Sequence, residues 1–587
     1  MATFVVDLTT DEFDGNTSSG DLSLREAIVE ANASLGDDVI QLQGGRTYTL
    51  SQAGTSEDNG ETGDLDISGV SGALTFEVIG GGSATIEASG LGDRVLHVLD
   101  GADVTLNDIT IQGGSGANDL SGNGGGIAIA TGATVTLNRA TVSGNTALGD
   151  GGGIWAAEGT IVTLRDSRIL GNSAEYTGGG LSAESVPTGD GTGLALTRTT
   201  VAGNTAGSRG GGIEAQEVSV VESSILNNVA LESDSFGSGV GGGISANQLF
   251  MSNSTVRGNS AGREGGGIST RGGGGTIAIS NSTLANNSAR DSGGALHDSF
   301  YSVSDISITR STISGNQARR GAGIAVEADT TVRPNPIPRS SLLVTQSTLF
   351  GNSGSFGSAI VNEGTATVRN STITGNTSER VGTIVVGGAI RTEYQSPLTL
   401  SSSIVADNPD SSGGFTDISS SGSLISGGNN LVGATYDRNG VTAIVDGVNG
   451  DRVGVDPRLD PLGLQDNGGP TETVALQPNS PALDAGVNPD GFVVDQRGGG
   501  FDREIGSPDI GAFELQTRDF DPPVVTAGQT ITFVENQAVE TQFGQVVATD
   551  ATGVVGFDIV SGNDAGFFEI DSNGGLSLTP AGVAAAA

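Results

Sequence analysis

The chain has 587 residues, 98 of them glycine and none cysteine, with 67 acidic against 26 basic side chains and a formal net charge of -41. No disulfide can staple the fold, no Gly-X-Y triplet makes it collagen, and no apolar run reaches the ~18–20 residues of a membrane span. All basic residues are arginine, and no basic stripe exists to displace counterions from phosphate, so nucleic acid is excluded as a partner.

In chain order, residues 4–8 (Phe4, Val5, Val6, Leu8) read as a strand and Asp11 to Asp21 as a polar loop. The N-terminus has no basic segment followed by an apolar one, so no secretory signal is visible. Ser23 to Asn32 is the only stretch with helical spacing: Leu24, Ala27, Ile28 and Ala31 make one apolar stripe, and Ser23 with Glu26 forms a capping box. An amphipathic helix ahead of many short strands is expected to cover the open end of the first rung. Strands are expected at Val39–Leu42, Thr47–Leu50, Leu74–Ile79, Ala84–Glu87 and Val95–Leu99.

From Val104 a repeat takes over. Each unit holds two or three runs of three to five residues rich in Val, Ile, Leu and Thr, a Gly-Asn ending, a loop, and a glycine run closed by an aliphatic residue such as Ile154, Leu181, Ile213 or Ile244. The asparagines recur at 145, 172, 204, 228, 259, 287, 316, 352, 376 and 408, about 29 residues apart. Runs this short cannot be helices, and aliphatic residues kept in phase argue against disorder. The predicted fold is all-β: a right-handed parallel β-helix, one coil per repeat, with a helical cap and coils stacked ~4.8 Å apart. The asparagines are expected at corners, in left-handed conformation and as an amide ladder. The glycines are expected where backbone approaches backbone, and the variable loops, longest at Leu231–Val240 and Asp329–Arg339, on one side.

After Asn408 the repeat fades into a Ser/Gly-rich stretch with strands expected at Leu424–Ile425 and Ala443–Val445. Residues 517–587 read as strands at sandwich spacing behind an acidic, Pro-containing hinge at Asp519 to Pro523. The expected division is a cap with first coils (1–103), the repeats (104–410), a distal region of turns and a terminal cap (411–516) and a partial β-sandwich (517–587).

Three resemblances accompany this reading. Leu22-Ser-Leu-Arg-Glu-Ala-Ile28, with Ala31-Asn32 and Asp64-Leu-Asp-Ile67, resembles the start of CSLREA-type domains of secreted bacterial β-helix proteins, Leu22 standing where that family has Cys. Asp466-Asn-Gly-Gly-Pro-Thr471, Ser480-Pro-Ala-Leu-Asp-Ala-Gly486, Asp495-Gln-Arg-Gly498 and Asp509-Ile-Gly-Ala-Phe-Glu514 are similar to the distal end of choice-of-anchor Q proteins. Val534-Glu-Asn536, Val547-Ala-Thr-Asp550 and Gly575-Leu-Ser-Leu578 resemble a cadherin-like repeat, which implies Ca2+ ligation by Glu535 and Asp550. Thr552 replaces that motif's second Asp, and two carboxylates do not fill a calcium shell of six or more oxygens.

For catalysis, the acids Asp150, Glu158, Asp166, Glu175, Glu214, Glu264, Asp291 and Asp298 fall in loops without evident register. His97 and His297 are isolated in sequence, and Arg257, Arg263 and Arg271 lie near one another. Asp291, His297 and Asp298 form the densest acid–base cluster, and no His/Cys metal triad is visible. The expected function is a non-enzymatic extracellular or cell-surface, adhesin-like rod with calcium binding and with cell-surface polysaccharide or protein as partner. The alternative is a polysaccharide lyase or glycoside hydrolase acting in a groove on the β-helix.

Overall fold

The computed structural model describes residues 1–54, 58–68, 72–116, 122–184, 193–232, 239–299, 303–328, 340–378, 388–411, 414, 416–437, 444–516, 524–533, 538–539, 541–549 and 557–586. They fall into two compact units, Met1–Glu514 and Leu515–Ala587, and the expected boundaries near 103 and 410 lie inside the first.

The first unit is a right-handed parallel β-helix. Parallel sheets of 27, 15 and 6 strands run along it, with a further two-stranded parallel pair, Ser353–Gly354 with Thr377–Ser378. One coil shows the plan. Ile154–Ala156 and Ile161–Arg165 belong to the largest sheet, Arg168–Leu170 to the second and Ser173–Ala174 to the third. Registers between coils are unshifted: Ile127 pairs with Ile154 and Ile154 with Leu181. Alternation along each short strand turns Val162, Leu164 and Ile169 into a continuous fully buried aliphatic core.

The ladder asparagines differ from expectation in one respect. None of the ten has positive φ; the left-handed residue is the one before it, Gly144, Gly171, Gly203, Asn227, Gly258, Asn286, Gly315, Gly351, Gly375 or Asp407. The corner therefore uses the preceding residue, and the asparagine turns its amide inward. Asn145 Nδ2 donates to Asn172 Oδ1 at 3.0 Å, and the pattern repeats coil by coil to Asn376 on Asn408 at 2.9 Å. The same Oδ1 accepts the backbone N–H of the previous ladder asparagine, as Asn259 Oδ1 does from Asn228 N at 2.9 Å. Asp417 ends the ladder, accepting from Asn408 Nδ2 at 2.8 Å, its carboxyl pushed up to about 6 by burial. The glycine runs meet their expectation. A Cβ on Gly211 would stand 2.3 Å from the carbonyl oxygen of Gly242 on the next coil, which leaves no room for any other residue.

At the N-terminal end the helix Leu24–Ala33 forms as expected, with Ser23 and Glu26 closing the capping box and Leu24, Ala27, Ile28 and Ala31 buried. Arg25 and Glu26 are also buried. Arg25 Nε donates to Asp11 Oδ1 at 2.7 Å, and its terminal nitrogens reach the carbonyls of Gly60, Gly63 and Asp64. The helix thus fixes the loop 58–64 as well as covering the first rung.

The distal segment departs from a terminal cap. Residues 471–514 run back along the second sheet. Thr312 Oγ1 donates to the Glu472 carbonyl, Gln496 Nε2 donates to Thr312 Oγ1 (3.0 Å), and Thr348 Oγ1 donates to Gln496 Oε1 (2.6 Å). Further along, Ala512 N donates to Thr372 Oγ1 and Val487 N to Ser402 Oγ. This strap buries Thr312 and Thr372, whereas the equivalent Thr141 stays partly exposed. Arg497 anchors it, paired with Asp495 at 2.6 Å and sandwiched between Phe501 and Phe513 at 4.0 and 3.9 Å. Leu424–Ser426 is a strand as expected; Ile444 and Val445 are not.

The second unit contains two small antiparallel sheets, Val524–Val525 with Ala548–Thr549, and Gly544–Gln545 with Gly575–Leu578 and Phe568–Ile570. Phe533, Phe543 and Phe568 pack at 5.3 to 6.2 Å. Within 517–587, read from the sequence as strands, residues 531–533 and 557–560 form none and Pro580–Ala586 is a short helix.

Candidate functional site

A strand follows each coil's corner, usually three residues long but nine at Ile213–Val221 and Ile244–Ser252, and its first and third residues enter the core, as Leu65 and Ile67, Ile154 and Ala156, or Ile324 and Val326 do. Period-2 geometry turns the middle residue outward. Unshifted registers then stack these middle residues in one column: Asp66, His97, Ala128, Trp155, Ser182, Glu214, Ser245, Ser269, His297, Ala325, Val361 and Arg391. A second row, contributed by the residues ahead of the glycine runs, stacks beside it: Thr177, Arg209, Val240, Glu264, Ser292, Arg320 and Phe356.

Between these rows lies a chain of ion pairs. Glu214 is buried, with Arg271 Nε at 3.0 Å and Arg209 Nε at 3.9 Å from Oε1. Burial raises its carboxyl above the usual range, with the two guanidinium groups only partly opposing it. Three coils on, His297 is 1 % exposed. Its Nε2 lies 3.3 Å from Glu327 Oε2, and its Nδ1 3.4 Å from Ser269 Oγ and 3.8 Å from Glu264 Oε2. Ser292 Oγ donates to Glu327 Oε1 at 2.7 Å. Burial works against the imidazolium, but the carboxylates of Glu327 and Glu264 outweigh it and hold His297 above its ordinary value. Burial likewise opposes the Glu327 carboxylate, yet His297, Ser292 and Arg320 hold it low. Arg320 then joins Glu327 (3.9 Å), Glu363 and Glu393 (2.8 Å). Burial pushes Glu363 up to about 7. Arg391 closes the series, 2.5 Å from Glu393 and with its guanidinium 5.2 Å over Phe356.

The floor of this furrow is closed and its rim is open. Arg209, Arg263 and Arg271 are 42 %, 27 % and 22 % exposed in their side chains, against 4 % for Glu214. The chain's one tryptophan, Trp155, stands partly exposed in the same column, its Nε1 3.4 Å from Glu184. The buried acids position the guanidinium groups, and the rim presents them to solvent.

Several expectations need correction here. Three acids outside the set named from the sequence do recur in register: Glu327, Glu363 and Glu393 follow the paired residues Val326, Asn362 and Thr392 on successive coils and share Arg320. The two histidines stand seven coil steps apart in the column, and each has an acid beside it that the sequence did not reveal, Asp66 at His97 and Glu327 at His297. The cluster Asp291, His297, Asp298 is divided. Asp298 pairs in register with the core residue Val326 and accepts from Thr270 at 2.9 Å on the inner side, while Asp291 pairs with Arg290 at 3.1 Å. Arg263 and Arg271 belong to the furrow, whereas Arg257 lies in the second sheet. Glu327, Glu363, Glu393 and Asp66 were missed. The signal for Asp66, like that for Glu214 and His297, was the residue just after the leading aliphatic of each three-residue strand. Glu535 and Asp550 lie outside the described residues.

Residues 139–157 match the family described as the Chlamydia polymorphic membrane protein (Chlamydia_PMP) repeat. No curated protein matches the sequence. Among solved structures, the chain is similar to pectate lyase Pel9A, at 13 % identity and a TM-score of 0.26 over 88 % of this chain and 96 % of that one. It is also similar to the A-module of the Azotobacter vinelandii mannuronan C-5 epimerase AlgE6, at 14 % identity and a TM-score of 0.26 over 73 % and 94 %. Among the described residues no helix is long and apolar enough to cross a membrane.

Proposed function

We propose that the protein is an adhesin-like, extracellular or cell-surface rod whose furrow, rimmed by exposed guanidinium groups, binds an extended carbohydrate polymer lying along the rod. The observation that carries this reading is the unbroken column from Trp155 to Arg391. It spans eight coil steps, about 38 Å at the parallel-sheet spacing. A linear polymer matches a site that repeats along one axis. Exposed guanidinium groups supply planar hydrogen-bond donors, and one indole supplies a stacking face. The match of residues 139–157 to a repeat of a membrane-protein family supports a surface location. Because Trp155 is the one tryptophan, its emission reports ligand directly. Titration with soluble acidic and neutral polysaccharides is expected to shift it, and Arg271→Gln to weaken the effect about tenfold, as for loss of a charged hydrogen bond. No spectral change and no calorimetric heat across the panel would sink the reading.

Calcium binding by the C-terminal unit, through Glu535 and Asp550, is part of the same proposal and rests on the cadherin-like motif. Calorimetry with millimolar calcium is expected to show heat that Asp550→Asn removes; a silent titration rejects it.

A second reading, cleavage of a glycosidic bond, has the His297–Glu327 pair in its favour. Against it, Glu214 and His297 are three coils apart, about 14 Å at the sheet spacing, too far to act on one bond as acid and base. Release of reducing or unsaturated sugars, lost in His297→Gln, would replace the binding reading with the catalytic one.

A further inference from the structure

We propose that Asp58, Asp66 and His97 form a binding site for a divalent transition-metal ion of the zinc type at the cap end of the rod. This inference is independent of the carbohydrate reading. One carboxylate oxygen from each aspartate and one imidazole nitrogen lie within 4.8 Å of one another. His97 Nδ1 is 3.1 Å from Asp66 Oδ1 and 3.6 Å from Asp58 Oδ1. Donors on a tetrahedral ion with bonds of 2.0–2.1 Å are ~3.3 Å apart, and the two observed separations bracket that edge.

The scaffold holds these donors in place. Asp66 and His97 are directly opposed on successive coils, so the sheet register sets their separation. Asp66 is fully buried and His97 nearly so. Asp66 Oδ2 accepts the Gly60 N–H at 3.1 Å, which orients the carboxylate with Oδ1 toward His97. The loop bearing Asp58 is fixed in turn by Arg25, whose guanidinium holds the carbonyls of Gly60, Gly63 and Asp64. A buried arginine on the capping helix thus acts as an outer support for the proposed ligands. Charge points the same way. Asp64, Asp66 and Asp93 are buried close together, and Arg94 pairs with Asp64 at 3.1 Å. Asp58 adds a further carboxylate at the rim. A divalent ion among these carboxylates would offset their mutual repulsion.

The choice of metal follows from the donors. An imidazole nitrogen with two carboxylates suits zinc, cobalt or manganese and does not suit calcium, which takes six or more oxygens. Asp58, 72 % exposed in its side chain, marks the open side from which an ion enters and at which a fourth, exchangeable ligand would sit.

The full-length protein, stripped with a chelator, is titrated with zinc by calorimetry and with cobalt by visible absorption. About one zinc per chain is expected with a rise in melting temperature, and cobalt is expected to give the intense visible bands of a tetrahedral N/O site. Asp58→Asn, whose exposed side chain leaves the packing intact, should weaken zinc about tenfold or more, and His97→Gln should abolish the cobalt bands. The proposal fails if zinc gives no heat at submillimolar concentration. It also fails if Asp58→Asn binds zinc with wild-type affinity and stoichiometry, whatever the state of the His97 variant.

Discussion

Asn259→Ala is expected to destabilise the middle of the rod by about 3–6 kcal/mol, as two to three unpaired buried polar groups cost. The side chain does four things at once. Its Nδ2 donates to the Ile225 carbonyl and to Asn287 Oδ1, at 2.9 and 3.0 Å, and its Oδ1 accepts from the backbone and side-chain nitrogens of Asn228, both at 2.9 Å. Alanine leaves the Asn228 backbone N–H and one of its two Nδ2 hydrogens without a partner in a site closed to water, the other hydrogen staying on the Val201 carbonyl. Stacked coils touch only their neighbours, so the loss is local. Hydrogen exchange is the right measurement: the amide of Asn228 should lose protection by several orders of magnitude while coils near Val104 keep theirs. Uniform loss along the rod, or none, contradicts the account. Asn259→Asp should lie between, recovering at acid pH, because a protonated carboxyl can donate where the carboxylate can only accept.

Arg320→Met is expected to cost about 3–5 kcal/mol at pH 8, the usual consequence of removing one member of a buried ion network. It leaves Glu327, Glu363 and Glu393 beside one another without their shared cation. The pH dependence identifies the cause. Burial already raises Glu363 to about 7, while Arg320 helps hold Glu327 and Glu393 low. Without the guanidinium all three carboxyls move up in the folded state, and Glu363, already raised, moves furthest above its unfolded value, while Glu327 keeps His297 and Glu393 keeps Arg391. An acid whose folded value is raised contributes stability below its unfolded value and loses it as pH rises through the folded one. The deficit should therefore be small near pH 4–5 and grow through pH 7. His297, held above its ordinary value by Glu327, remains charged at acid pH and adds to the same trend. Melting curves of both proteins from pH 4.5 to 8 test this; a deficit independent of pH would assign the loss to packing of the arginine stem instead.

Much of the architecture was legible because it is written in local, periodic chemistry. Ser23 and Glu26 mark the cap, the aliphatic residue after each glycine run marks a core position, and the asparagines at about 29-residue spacing mark the coils. The left-handed corner was displaced by one residue, since Gly-Asn offers two candidates for the conformation. Only the inward hydrogen bonds of the asparagine amide decide that the preceding residue, glycine at seven of the ten corners, takes it. The strap 471–514 was read as a cap because its Asp, Gly and Pro residues announce turns without saying which surface they follow. Contacts such as Gln496 to Thr312 join residues 184 apart in the chain.

The candidate site was less legible for the same reason. Loop lengths between coils vary, so the distance in sequence from Glu264 to His297, or from Glu327 to Glu363, says nothing of their registration. What the sequence by itself determined is the coil: a short β-rich repeat, no cysteine, an acidic surface and one capping helix, each following from side-chain chemistry within about 30 residues. What only the tertiary structure decided is which side chains share a column. Neighbours in that column are 24 to 36 residues apart in sequence, yet hydrogen-bonded strand register sets them one ~4.8 Å step apart in space.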